Sequence, residues 1–535
     1  MRLFFRIVFV VFLSASILSA CDSPQSAGGV SSTPTPSPDP LLVLVSQGET
    51  ALNQGDYALA ESIYSSALTK NTNPALSGHI YYGRGAARLG LNEYELALED
   101  LNQAIALEPT QIKAYFARAA AYNALGNVTA AVDDLNQVIQ IQPSNADAYY
   151  NRAVLNDSVG NVQAALADYD QVIQLAPTSA PAYNNRGNLY VRLDRKDDAM
   201  VDYNRALQLD PNYALAYVNR GRLQLLLGND QDGLADFSLA LSLNPDLSEA
   251  YLQRGVANFN QKQFREALLD FDQFVQRNPQ SADGYLYRAM TLANLNQTDK
   301  ALQDLERAIQ IRPDNSQAYY NLGIIHSRIG ELDTALQDYT QAIALSSTEA
   351  AFYNNRANVY AAKGNYQAAL ADLAKALQID PSYIKAYLSR GQINLSLKRY
   401  EAAIKDFNQI ITLQPDNPDG YYNRGVGYYN WQEYGKALAD FNKALEINPD
   451  YALALRVRAI VHIQDKDYEQ AIADLKHALD IDPKDASAYY YLGLAYKLQG
   501  DINGAITAFE NCVELNADPQ LVTASKKELV KLLGK

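Results

Sequence analysis

Apolar residues along 112–145 recur at the spacing of two amphipathic helices. Ala114, Tyr115, Ala119 and Tyr122 share one helical face. Gly126 and Asn127 interrupt, and Ala131, Leu135, Val138 and Ile141 form a second stripe that Pro143 closes. Spacings of three and four residues mark the buried side of a helix. Glycine supplies a left-handed cap without steric cost, and proline cannot continue a helix. The block therefore predicts helix A, a tight turn, helix B and a second turn. Its closing proline recurs every 34 residues, at Pro109, Pro143, Pro177, Pro211, Pro245, Pro279 and Pro313. Ser347 takes the next place, and Pro381, Pro415, Pro449 and Pro483 resume in phase. A period of that length means stacked like units, with function on an extended surface.

We number each block from the third residue after the proline phase. Position 8 is then Gly or Ala (Gly85, Ala119, Ala153, Gly187, Gly221, Gly255), and position 20 is mostly Ala (Ala97, Ala131, Ala165, Ala199, Ala267, Ala301). Small residues at both places let helix A approach helix B closely. Position 4 is mostly Tyr, as at Tyr115, Tyr149, Tyr183, Tyr251 and Tyr285. This set, with an aromatic or Leu at position 24 and Pro at 32, resembles the tetratricopeptide repeat. The resemblance spans about nine-tenths of the chain. It implies an all-α, right-handed α-solenoid of about 14 helix-turn-helix repeats over residues 41–519, with a C-terminal capping helix over 520–535. The first unit, from about Leu41, is degenerate, and thirteen more begin at residues 78, 112, 146 and onward to 486. Lys262, Lys398 and Gln432 stand where other units have the turn glycine, and are expected to be local weaknesses.

The first 40 residues have a different character. Arg2 and Arg6 precede an apolar run, Ile7–Leu18. As a helix that run reaches only about 18 Å, short of the roughly 30 Å of hydrocarbon, so residues 1–20 read as a signal peptide. Leu18-Ser19-Ala20-Cys21 resembles the lipobox of bacterial lipoproteins, which implies acylation at Cys21. Residues 21–40, rich in Ser, Thr and Pro, would then tether the array to a membrane. Asp22 resembles an inner-membrane retention signal, so the expected place is the outer face of a bacterial cytoplasmic membrane. The other cysteine, Cys512, falls at position 27, where Ala376 and Ala444 stand in other units, and reads as structural.

The balance of 45 Lys+Arg against 60 Asp+Glu, a net −15, argues against nucleic acid as a partner. Four histidines are scattered without metal-ligand or nucleophile spacing, so neither a metal, a cofactor nor catalysis is expected. Two periodic features remain. Position 7, commonly Leu in the family, is Arg in most units, and position 23 is Asp in parallel. Arg118 with Asp134, Arg152 with Asp168, Arg186 with Asp202 and Arg220 with Asp236 are expected to form a ladder of partly buried ion pairs. The last unit has lost both, with Leu492 and Ala508, and one unit breaks the pairing, with Leu322 opposite Asp338. Position 6 is Asn at Asn151, Asn185, Asn219, Asn321, Asn355 and Asn423, with Gln253 and Ser389 as polar substitutes. The family resemblance places positions 2, 5, 6, 9, 12 and 13 along a concave groove. There an Asn carboxamide could bond a peptide backbone with both donor and acceptor, or simply be tolerated at a solvated site. Phe116, Tyr150, Tyr320 and Tyr422 at position 5 favour binding, because aromatics supply contact area.

The expected function is a membrane-anchored interaction scaffold that holds peptide segments of protein partners. The alternative is a structural subunit of an envelope or pilus assembly that uses the edges of its array.

Overall fold

A computed structural model describes residues 39–534. Cys21, the apolar leader and nearly all of the tether lie outside the described residues. These form 29 helices and no strand, in two compact units that divide after Gln261. The first unit runs from helix Pro40–Asn53 to helix Ser248–Asn260, and the second from Phe264–Arg277 to Pro519–Leu533. Among the described residues no helix is long and apolar enough to cross a membrane.

The block read first from the sequence is helix A Ile112–Ala124 and helix B Val128–Ile141. Gly126 sits between them at φ +78°, and the Asn127 side chain accepts from the Ala130 amide at 3.2 Å to cap helix B. Lys398 and Gln432 adopt the same left-handed conformation, at φ +58° and +64°. A side chain there costs about 1–2 kcal/mol. The turn geometry is therefore imposed by the helices it joins, and glycine only makes it cheaper.

Position 8 is matched to position 24. A Cβ placed on Gly391 would stand 2.5 Å from Phe407, and one on Gly425 or Gly493 would stand 2.7 Å from Phe441 or Phe509. Where position 24 is Leu, position 8 is usually Ala. Ala119 packs with Leu135, Ala289 with Leu305, Ala357 with Leu373 and Ala459 with Leu475. The two positions exchange volume so that the interface stays close-packed. Gly85 with Leu101 and Ala153 with Tyr169 depart from the rule.

Within each unit the substantial contacts join helix A to its own helix B, helix B to the next helix A, and many helices A to the next helix A. Helices A therefore form the continuous side of each stack. At the C-terminus, helix Pro519–Leu533 covers Ile502–Leu515 with Val522 buried, while Lys526 and Lys527 stay exposed. Lys497 and Lys531 grip Glu528 and hold its carboxyl below the usual range. Cys512 is fully buried in this end of the stack.

Candidate partner-binding face

Most position-7 arginines are three-way joints. Arg118 donates from Nε and Nη2 to the two oxygens of Asp134, at 3.0 and 2.6 Å. Its Nη1 reaches back to Asn102 Oδ1 on the preceding helix B, at 2.6 Å. Arg152 grips Asp168 and Asn136, Arg186 grips Asp202 and Asp170, and Arg220 grips Asp236 and Asn204 in the same way. The guanidinium also lies over the position-4 ring, 5.4 Å from its centre for Arg220 and Tyr217. The carboxylates are deeply placed, with Asp134 3 % and Asp202 2 % exposed. Burial pushes both carboxyls up, against the downward pull of Arg118 and Arg186. The opposing effects leave little net gain from such a pair, but removing one partner leaves a costly stranded charge. These arginines are part of the packing between repeats and do not form an open basic stripe.

At the broken rung the structure supplies a residue that sequence reading passed over. Asp338, opposite Leu322, bonds His326 Nδ1 at 2.6 Å. His326 lies one helical turn beyond Leu322, so its ring enters the same slot from the next turn. The signal was present as a His four residues after the missing Arg.

The side of the stack made by helices A carries a second, repeating set of bonds. Tyr150 OH accepts from Asn185 Nδ2 at 3.1 Å, Asn185 Oδ1 accepts from Asn184 Nδ2 at 3.1 Å, and Asn184 Oδ1 accepts from Asn219 Nδ2 at 2.9 Å. One relay thus spans three repeats. In the second unit Tyr320 OH accepts from Asn355 Nδ2 at 2.9 Å, and Asn354 donates to Asn355. Position 6 here meets position 5 of the preceding repeat. Position 13 likewise meets position 12: Arg192 pairs with Asp157, Arg328 bonds the Ala293 carbonyl, and Gln464 bonds Tyr429 OH. Positions 5, 6, 12 and 13 therefore share one face.

Family models for the tetratricopeptide repeat match residues 45–112, 146–179, 180–213, 249–281, 320–384, 355–418, 418–451 and 486–519. Further repeat models match 121–156, 291–330 and 461–500. The chain belongs to the tetratricopeptide repeat family. Among solved structures the array is similar to the APC/C hetero-tetramer Cut9–Hcn1, at 16% identity and TM-score 0.43, covering 92% of this chain and 96% of that one. It is also similar to yeast Tom70, at 17% and 0.38, covering 92% and 95%. YrrB, described as a tetratricopeptide protein with an unusual peptide-binding site, matches at 29% identity and TM-score 0.30, over 35% of this chain and 96% of its own.

The relay changes what the tetratricopeptide asparagines have available. Asn185, Asn219 and Asn355 were expected to be solvated, but their amide donors are engaged by the neighbouring repeat. The physical reason is a polar residue at position 5 of the preceding helix A, close enough to bond directly. Asn321 and Asn423 donate to carbonyls of their own helices, Gln317 and Asp419, at 2.8 Å, and Asn151 is exposed. These last three keep carboxamide oxygens on the face. The position-5 aromatics are likewise half-buried. Tyr150 packs edge-on to Tyr169, Tyr320 stacks on Phe352 with centres 4.6 Å apart, Tyr422 lies against Phe441 and Tyr451, and Phe116 joins the core around Leu135. Burial pushes the Tyr320 phenol up to about 12, so it keeps its proton.

The relay yields a direct test. Asn219→Ala leaves Asn184, which is fully buried, without a partner for its carboxamide oxygen. The expected loss is about 1–2 kcal/mol of stability, read by urea denaturation. An unchanged midpoint would show that water replaces the bond without cost.

Proposed function

We propose that this tetratricopeptide protein is a non-catalytic scaffold, tethered to a membrane through an acylated Cys21, which receives extended segments of protein partners along the face made by its helices A. The observation that carries the reading is the amide-to-amide bond on that face. Asn219 recognises the Asn184 carboxamide at 2.9 Å, the geometry that a peptide backbone amide would offer to an unengaged position-6 Asn. Asn151 has that capacity open, and Asn321 and Asn423 keep their carboxamide oxygens as acceptors. The position-7 arginines and position-23 aspartates, by contrast, are mostly held in structural joints, which supports binding over chemistry.

Photo-crosslinking residues placed at Asn151, Asn321 or Asn423 should capture partners in intact cells. The same residue at Val201 or Leu239, exposed positions on helix B, should not. Equal capture from both sides would favour an assembly subunit that uses its edges. Cys21→Ser should abolish incorporation of a labelled fatty acid, because a hydroxyl is a far weaker nucleophile than a thiolate. Retained label would remove the anchor from the reading.

A further inference from the structure

The helix-A face is not uniform, and one joint differs from the rest in two ways at once. Between helix Ala282–Asn294 and helix Ser316–Arg328 lies a cavity of about 160 Å³, with Leu305 and Ile325 in its wall. Both are buried in the core of this joint, at 0 % and 4 % exposed. Ala293, at position 12, opens the cavity. Leu225, Leu395 and Ile463 stand at that position in other repeats, while Ala361 repeats the alanine in one more.

The second difference is electrostatic. Arg328 stands to Ala293 as Arg192 stands to Asp157, at the same repeat positions and the same separation of 35 residues. In the first unit that arginine is neutralised by the carboxylate of Asp157. Here the carboxylate has become a methyl group. The exposed Arg328 guanidinium makes one bond, to the Ala293 carbonyl at 3.1 Å, and holds no carboxylate among the described residues. The same substitution therefore leaves a space for an aliphatic side chain and an arginine that lacks its anion.

The rim fixes the direction of approach. Asn294 and Asn321 donate from Nδ2 to carbonyls of their own helices, Met290 and Gln317, each at 2.8 Å. Each carboxamide oxygen is left as an acceptor at the mouth of the cavity, and it asks for an N–H. A backbone that runs past the cavity supplies N–H groups on both sides of its anchoring residue. A chain ending there would set a terminal anion against these oxygens.

We propose that this joint binds an internal, extended peptide segment in which Leu, Ile or Met stands beside Asp or Glu. The aliphatic side chain enters the cavity, the carboxylate meets Arg328, and flanking backbone amides donate to Asn294 and Asn321. The proposal rests on the reading of the helix-A face as the partner-binding face.

Random dodecapeptides displayed on phage and selected against the full chain test it. Enriched sequences should carry an aliphatic residue next to an acidic one, and should bind as synthetic peptides acetylated and amidated at their ends. Ala293→Leu, which copies Leu225, should weaken them about tenfold or more by filling the cavity. Ala293→Asp should do the same by restoring the built-in pair seen at Arg192. Arg328→Gln should erase the preference for Asp over Asn and keep the aliphatic preference. Circular dichroism confirms that each variant is folded. Enriched peptides indifferent to Ala293→Leu, peptides that need a free C-terminus, or no enrichment would each overturn the site. The photo-crosslinking comparison decides the wider face separately.

Discussion

Arg220→Ala is expected to destabilise the first unit by about 3–5 kcal/mol. The change removes two bonds of 2.8 and 2.7 Å to Asp236 and a third, of 2.8 Å, to Asn204 on the preceding helix B. It leaves a carboxylate that is 6 % exposed with no cation. The loss should be local, because a stack of repeats is held by nearest-neighbour interfaces. Hydrogen exchange should rise first in helices Ala214–Leu226 and Asp230–Leu243, with distant repeats protected as before. Arg220→Leu combined with Asp236→Leu should recover most of the loss, since an apolar pair of similar volume replaces a buried ion pair at little cost. A silent single substitution would mean that water reaches Asp236.

The second large effect concerns packing. Gly391→Ala should cost about 2–3 kcal/mol, because its methyl would lie 2.5 Å from the fully buried Phe407 ring. Phe407→Leu alone leaves a void and should also destabilise. Combined, the two substitutions reproduce the pairing of Ala357 with Leu373 in the preceding repeat, and should come close to the parent protein. In a double-mutant cycle followed by urea denaturation, the combined loss should fall short of the sum of the two single losses by at least about 1 kcal/mol. Simple additivity would show that the ring moves aside, and that positions 8 and 24 are independent.

The period carried most of this architecture in plain view. Helical stripes, the Gly126 turn and the prolines in phase are local signals, and the same signal repeated a dozen times is hard to mistake. The Arg and Asp columns were legible for the same reason, since two charges that keep step must face each other. What stayed hidden lies between repeats. Nothing in the isolated block Ala180–Tyr213 shows that Asn219 will bond Asn184, because that bond depends on how closely one helix A settles against the next. The cavity beside Ala293 was hidden too. It shows only when Ala293 is set beside larger residues such as Leu225 at the same repeat position, and no single sequence position announces an empty space. His326 was overlooked because it replaces an arginine from a different position in the repeat, out of phase with the column it completes.

The backward reach of most position-7 arginines has a mechanical consequence. Because Nη1 ties its repeat to the helix B before it, the chain is stitched at intervals, and three of the stitches in the second unit are missing. At Leu322 and Leu492 there is no guanidinium to reach back, and at Arg390 the residue in the receiving place is Ala374, which offers no side-chain acceptor. A chain pulled from its ends would meet these places as the softest seams, and would come apart in blocks of repeats, with the tear halting wherever the next arginine holds both sides. In the proposed tethered scaffold, such seams would let one block yield under load while its neighbours keep hold.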